Sequence, residues 1–559
     1  MGQSPKYLEI RIIFGFVTLI VGLLAANLAL FHWVEQTGLH YLLGDYARYV
    51  CAYGGFMAMI FGATLVSNLP NPIKILKKKR HQISSEDKKI EKTVTVEVRR
   101  KDRKQTITAL SLAILIFMLF PLVASSLVSY TATIIMIFKS ATSVYYRSNT
   151  GSNLLFSPKE RTWNGSTWSS ETEMPSSGAA IQWVRAAHCP SSSRGYEKII
   201  VTLSDNGYLD AYVWNGSAWL VTNDIGYVGT IVNFYRAYDV VYEISSGNAM
   251  LVYGISSVNT SRDLAYKTWN GAQWSTEAYI NDPSMGDIQY YWIKLAPYPL
   301  RVGRVNEVAL IASEEPSNDA NAWIWNGSSW GNYLQLEGSI ASRTTESISV
   351  EYEQQSGEAM FIWGWRGGGG IGYLQSRKWT GTWGSELPQM RIGRRPRWFA
   401  LKADPSSNRM MTLSVDQGRD LYTVRWNGSG WTRDSRHDAN VDSSSTRCAD
   451  FEWEPNESNG LLVWGSSTDS LSYKTLTAFS TWSGLLTVPA TGTHPWVQLR
   501  RNTGVAGVKI LGSMLNSNYN LGALKWNGET LTNIGDSTFT SDTTTTAFEC
   551  FDICFSNPR

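Results

Sequence analysis

One short stretch returns eight times along this chain and limits what it can fold into more than any other feature. Trp163-Asn164-Gly165-Ser166-Thr167-Trp168 recurs from Trp214 to Trp219, Trp269 to Trp274, Trp325 to Trp330, Trp379 to Trp383 (one residue shorter) and Trp426 to Trp431. A seventh copy is reduced to Phe479-Ser480-Thr481-Trp482, and the eighth, opening at Trp526, ends on Leu531 in place of the second Trp. Asn-Gly set between aromatic and β-branched residues signals a tight hairpin, because both residues tolerate the positive φ that the turn demands. Each copy is therefore expected at the tip of a two-stranded hairpin. Successive first aromatics lie 51, 55, 56, 54, 47, 53 and 47 residues apart, the period of four-stranded propeller blades.

The segments between the hairpins fall into two alternating kinds. One kind opens on Asp239-Val240-Val241-Tyr242-Glu243, with counterparts from Val350 to Glu353 and from Asp450 to Glu454; the other opens on a Trp, at Trp183, Trp292, Trp398 and Trp496. The unit of duplication is thus a pair of blades, present four times. The first blade lacks its opening strand, and that strand stands at the far end of the chain as Phe551-Asp552-Ile553-Cys554-Phe555. Closing the first blade from both chain ends leaves no free sheet edge. The sequence predicts an all-β, eight-bladed propeller over 143–556, with the first blade completed by 545–556.

Charge and hydropathy separate the first 139 residues from the rest. They carry a net +9 within a chain whose formal charge is +3, so residues 140–559 carry −6. Apolar runs at about 12–31, 49–68 and 108–138 are each long enough to cross roughly 30 Å of hydrocarbon as a helix. The loop at 71–105 holds thirteen Lys or Arg against five acids, which places it in the cytoplasm by the positive-inside rule. The expected topology is a three-span membrane anchor over 1–139 with the N-terminus inside and the propeller outside. Sequons at Asn164, Asn215, Asn259, Asn326, Asn427 and Asn456 all fall in the external part, where they are possible glycosylation sites.

The Trp-Asn-Gly-x-x-Trp hairpin resembles the Asp-box turn of sialidase-type propellers and the short repeats of some propeller lectins, and the membrane-anchored arrangement is similar to that of uncharacterised bacterial and archaeal envelope proteins. In the Asp-box families the turn is structural. That resemblance implies a propeller and does not imply an activity.

Candidate sites are few. The paired hairpin tryptophans either clamp each hairpin and fill the space between blades or offer platforms for sugar rings. Tyr242-Glu243 and Tyr352-Glu353 suit a glycosidase nucleophile, but a pair stamped into several blades points to a structural device. His188, His437 and His494 are scattered, and no nucleophile elbow is present. Asp239, Asp450 and Asp552 hold equivalent places on innermost strands, with Ser349 in the fourth; they either ring the channel around a hard cation or bond backbone N–H groups of the adjoining blade. Arg391, Arg394, Arg395 and Arg397 crowd the connection into the sixth blade, either as an anion-binding patch or as a solvated loop paired with acids. Cys189 and Cys554 are placed to form a disulfide that pins the closing strand, unless the propeller cysteines are all buried thiols. No cofactor and no nucleic-acid partner are expected. The function expected is non-catalytic binding or adhesion in the cell envelope, to a glycan or an envelope protein. An ectoenzyme acting on surface polysaccharide, and a receptor that signals through a partner, are the alternatives.

Overall fold

The computed structural model describes residues 140–147, 156–230, 234–255, 263–280, 288–455, 457–502 and 507–556. The three expected membrane spans, the basic loop and the sequons at Asn259 and Asn456 lie outside the described residues. Among the described residues no helix is long and apolar enough to cross a membrane.

Eight antiparallel sheets form the eight expected blades. Counted in chain order, the innermost strands of blades 2 to 8 are Ile181–His188, Tyr238–Tyr242, Gln289–Pro297, Ile348–Tyr352, Pro396–Ala403, Ala449–Trp453 and Trp496–Arg501. The first blade takes its innermost strand from the C-terminal Phe551–Ser556, which pairs with Ser140–Tyr145 in the register Ala141 to Phe555 and Tyr145 to Phe551. Closure from both chain ends is therefore present, and the propeller begins three residues earlier than the expected 143. Each innermost strand packs on the next, and Trp496–Arg501 meets Phe551–Ser556 to complete the ring.

The pleat explains how one strand serves two neighbours. Alternate residues of a strand point to opposite sides, so Phe551, Ile553 and Phe555 pack among residues of blade 8, with Ile553 and Phe555 beside Val508 and Leu511, while Asp552 reaches blade 2. Second strands such as Lys198–Ser204 and Met410–Asp416 are buried at every position, as expected of strands covered by a blade on each side.

Chain direction gives the ring two distinct faces. The Asn-Gly tips lie on the same face as the connections that leave the innermost strands, and this tip face also carries Ser140, where the described chain starts. The connections that lead into each blade lie on the opposite, lead-in face. There Trp183 contacts Trp292 at 5.6 Å and Trp496 at 5.9 Å between ring centroids, both edge-on. Blade 2 is not adjacent to blade 4 or to blade 8, so these rings meet over the central axis and cap the channel.

The lead-in to blade 8 contains His494, fully buried, with neither ring nitrogen hydrogen-bonded. Burial pushes its imidazole from 6.5 down to about 4. Between those values the unfolded chain takes up a proton that the folded chain refuses, so stability is complete above pH 6.5 and falls as the pH drops toward 4. At about 1.4 kcal/mol per pH unit the loss is on the order of 3 kcal/mol. Melting temperatures recorded from about pH 7.5 to 4 should fall less steeply for His494→Gln than for the parent protein.

Candidate functional site

Hairpin tips come first, since they repeat most. The first and last residues of seven tips pair directly, as in Trp214 with Trp219 and Trp426 with Trp431, whereas in the degraded seventh copy Trp482 pairs with Leu476. Gly165, Gly216, Gly327, Gly428 and Gly528 all have φ between 93° and 103°, a conformation that side chains rarely adopt. In the six tips that carry the Asn, its carbonyl oxygen accepts two backbone N–H groups across the turn, at 2.9 Å from Ser328 and Ser329 to Asn326, for example. Asn164, Asn215 and Asn427 hold their turns in the same way, so these sequon side chains are built into the turns.

The tip tryptophans are packed inward. Trp163, Trp269, Trp325, Trp379, Trp426 and Trp526 are buried, whereas Trp214 and the second members Trp168, Trp219, Trp274, Trp330, Trp383 and Trp431 are half-buried. Each pair sits tilted or edge-on, with ring centroids 5.2 to 5.8 Å apart. Flat, open platforms for sugar rings are not what these rings present.

The Tyr-Glu pairs are committed to the joints between blades. Glu243, Glu353 and Glu454 each accept the indole N–H of the following blade's first tip Trp, at 2.7 Å from Trp325, Trp426 and Trp526 respectively. Tyr242 donates to Glu197 and Tyr352 to Glu307 of the preceding blade. The closing strand has Ser556 in the place of these glutamates, and the Trp it would serve, Trp214, is the less buried one. Trp426→Ala should cost about 3–5 kcal/mol in a denaturant titration, and Trp431→Ala measurably less.

The aspartates of the innermost strands turn into the joints between blades. Asp552, Asp239 and Asp450 accept the backbone N–H of Ala186, Leu295 and Leu499 at 3.0, 2.9 and 2.8 Å. Each also faces a cation: Arg500 Nη2 is 2.8 Å from Asp552, Lys294 is 3.7 Å from Asp239 and Lys402 is 3.4 Å from Asp450. Among the described residues no group of carboxylates, histidines or cysteines is arranged to hold a metal ion. The cation reading of these aspartates is thereby corrected: carboxylates neutralised by Arg and Lys have little charge left to offer.

A different ring surrounds the axis. The residue two positions before each odd-blade innermost strand is Arg236, Glu346, Arg447 and Glu549 in turn. Arg236 contacts Glu346, Glu346 lies 3.8 Å from Arg447, and Arg447 is 3.0 Å from Glu549. Burial opposes the Glu549 charge, but Arg185 and Arg447 outweigh it and hold the carboxyl well below the usual range. Aligning the four blade pairs shows this alternation, but it sits in the lead-ins, outside the strand pattern by which the blades are recognised.

The disulfide does not form. Cys189 and Cys554 are free buried thiols, as are Cys448 and Cys550. Cys554 lies on the pleat side facing blade 2, near Lys198, whereas Cys189 contacts Gly247 of blade 3 at 3.6 Å. The innermost strand of blade 2 stands between them, a consequence of pleat direction that strand adjacency alone does not convey.

The arginine patch is a predicted site whose groups the fold brings together without ion pairs among the described residues, although the Arg395 Nε donates to the Ala341 carbonyl. Residues Met390–Arg394 add a short strand to blade 5, pairing Arg391 with Tyr373 and Arg394 with Ile371. Only glycine fits at position 372, where a Cβ would lie 1.8 Å from the Arg394 carbonyl oxygen. Arg391 and Arg394 are exposed and Arg395 and Arg397 half-buried, with Arg366 exposed beside them. Among the described residues none of the five forms an ion pair, and the Arg397 Nε is buried without a hydrogen-bond partner. Burial, then Arg366 and Arg397, depress the Arg395 guanidinium below its ordinary value. Trp365 and Tyr373, half-buried and 5.6 Å apart, flank the patch. Of the acids nearby, Asp416 accepts the Arg394 backbone N–H at 2.7 Å, and the Arg394 charge favours the ionised form of Asp420.

No family model matches this chain, and no curated protein matches it. Among solved structures it is similar to the BP39L lectin from Burkholderia pseudomallei, at 11% identity and a TM-score of 0.44, over 63% of this chain and 98% of that one. The SapL1 lectin in complex with alpha methyl fucoside gives 12% and 0.33 over 65% and 96%. A point mutant of the Aleuria aurantia lectin, in complex with Fucalpha1-6GlcNAc, gives 9% and 0.35 over 63% and 94%. These likenesses are distant, and no functional assignment rests on them.

Proposed function

We propose that this protein is a non-catalytic binding module that recognises an acidic saccharide through the arginine patch at the joint of blades 5 and 6. The observation that carries this reading is a set of five arginines, two of them partly buried, none of which forms an ion pair among the described residues. Confining like charges in this way is unfavourable unless an anion neutralises them. Arginine suits carboxylate and sulfate groups because its planar fork donates two parallel hydrogen bonds. Trp365 and Tyr373 supply apolar ring surface beside the charges, as sugar recognition requires. The patch lies on the lead-in face, remote from the place where the described chain begins.

The test is binding of the full-length protein to acidic and neutral polysaccharides on one array. Polygalacturonate or a sulfated chain should be retained and a neutral glucan not. Arg395→Ala with Arg397→Ala should weaken retention about tenfold or more, and raising the salt from about 0.05 to 0.5 M should weaken it further as screening shortens to a few ångströms. Equal retention of neutral and acidic chains would refute the reading.

The setting we propose is display at the outer surface of a cell membrane by the three-span segment over 1–139. In intact cells, amine-reactive label applied outside should modify propeller lysines and spare Lys77 to Lys79. Labelling of Lys77 to Lys79 with the propeller protected would invert the topology.

A further inference from the structure

A second site lies inside the ring, away from the arginine patch. The central channel holds a cavity of about 410 Å³ lined by residues of all eight blades. Arg236, Glu346 and Arg447 form its floor beneath the tryptophan cap, and Ile244, Pro297 and Gln354 stand at its mouth on the tip face.

Most charges in the cavity are spent on one another. Arg185 binds Glu549 at 2.7 Å, Arg500 binds Asp552 at 2.8 Å, and Lys402 lies 3.2 Å from Glu452. One quadrant departs from the repeat. At the joint of blades 5 and 6, Ser349 stands where the other odd blades have Asp, and Ala400 stands where Arg185 and Lys294 stand in blades 2 and 4. Two opposite charges beside that gap are incompletely satisfied. Glu351 forms no ion pair among the described residues, and its only hydrogen bond comes from the backbone N–H of Tyr352 at 3.1 Å. Lys294, half-buried on the adjacent blade 4, is ion-paired with Asp239 at 3.7 Å, without a hydrogen bond, and with Lys402 and Arg501 it is one of the cations that face Glu351. Burial disfavours both charges as they stand, raising the Glu351 carboxyl and lowering the Lys294 ammonium.

We propose that this quadrant binds a small zwitterion of the α-amino-acid type, with its ammonium on Glu351 and its carboxylate on Lys294. A ligand of single sign would hydrogen-bond only one of the two groups and add net charge to a lining in which charges are otherwise balanced, which a poorly hydrated cavity penalises. A zwitterion completes both pairs and adds none. The Ser349 position and the apolar Ala400 and Leu401 leave room for its side chain.

Isothermal titration of the full-length protein with a panel of α-amino acids, against acetate, ethylamine and glucose at equal millimolar concentration, tests the assignment. At least one amino acid should bind, with acetate and ethylamine about tenfold weaker or worse. Glu351→Gln and Lys294→Met should each weaken that binding about tenfold or more, whereas Arg395→Ala with Arg397→Ala should leave it unchanged. Ser349→Asp with Ala400→Lys rebuilds the pair present at Asp239 and Lys294, so it should fold with an unchanged or higher melting temperature and abolish binding. The proposal is overturned if no amino acid binds, if glucose or a single-sign ion binds as well, or if binding survives the Ser349→Asp, Ala400→Lys variant. Because the arginine patch is tested with polysaccharide on other variants, either reading can fail without the other.

Discussion

Where an odd blade meets the even blade after it, the carbonyl of the residue two before the innermost strand accepts the N–H of the residue that follows the even blade's opening Trp. The four bonds join Glu549 to Val184, Arg236 to Ile293, Glu346 to Phe399 and Arg447 to Val497, at 2.9 to 3.3 Å. An innermost strand is a sheet edge, and its outward N–H groups have no ladder partner, so each must find an acceptor or remain unsatisfied. The carbonyl serves one such group, and the Asp carboxylate serves a second two residues further on. This joint explains why the blades duplicate in pairs: an odd blade carries the acceptors and the following even blade carries the donors.

How much of this was legible follows from which forces are local. The hairpin tips could be read because their demand is confined to two residues, the positive φ of Gly165 or Gly216 and the turn-spanning oxygen of Asn164 or Asn215. Closure could be read because Phe551 to Phe555 repeats a strand pattern that the first blade lacks. The Asp positions were visible, but their destination was not, since which pleat side faces a neighbour is set by the twist of two sheets. The same ignorance of side explains the disulfide: Cys189 and Cys554 belong to adjacent strands and opposite interfaces. Glu243 and Glu353 suited a glycosidase beside their tyrosines, and repetition alone marked them as structural, because the indole N–H groups that occupy them lie 82 and 73 residues downstream.

Charge is handled differently at the two ends of the channel. Toward the lead-in face the Arg236, Glu346, Arg447, Glu549 ring neutralises itself under a cap of aromatic rings, and removing one member would leave a buried charge uncompensated, typically a loss of several kcal/mol. Toward the tip face the cavity is open, and its charges are only partly paired. A structural role suffices for the first arrangement. For the second it does not account for Glu351, which forms no ion pair among the described residues and takes its hydrogen bond from the Tyr352 backbone.

The departures from the repeat gather at one joint. Between blades 5 and 6 the Asp-to-backbone bond is missing, Ser349 and Ala400 replace a charged pair, and the outer strand, matched by Leu486–Pro489 in blade 7, carries Arg391 and Arg394. What remains is the Glu346 carbonyl with Phe399, supported by the contacts of Thr345 with the Arg397 carbonyl and of Arg395 with the Ala341 carbonyl. The other three joints show that the ring tolerates, and elsewhere uses, the stronger device. A joint that gives up that device while collecting arginines without ion pairs on one face and Glu351 without an ion pair on its inner side has been freed from the framework's requirement, and in a rigid ring that is where ligands can be accommodated without opening a blade.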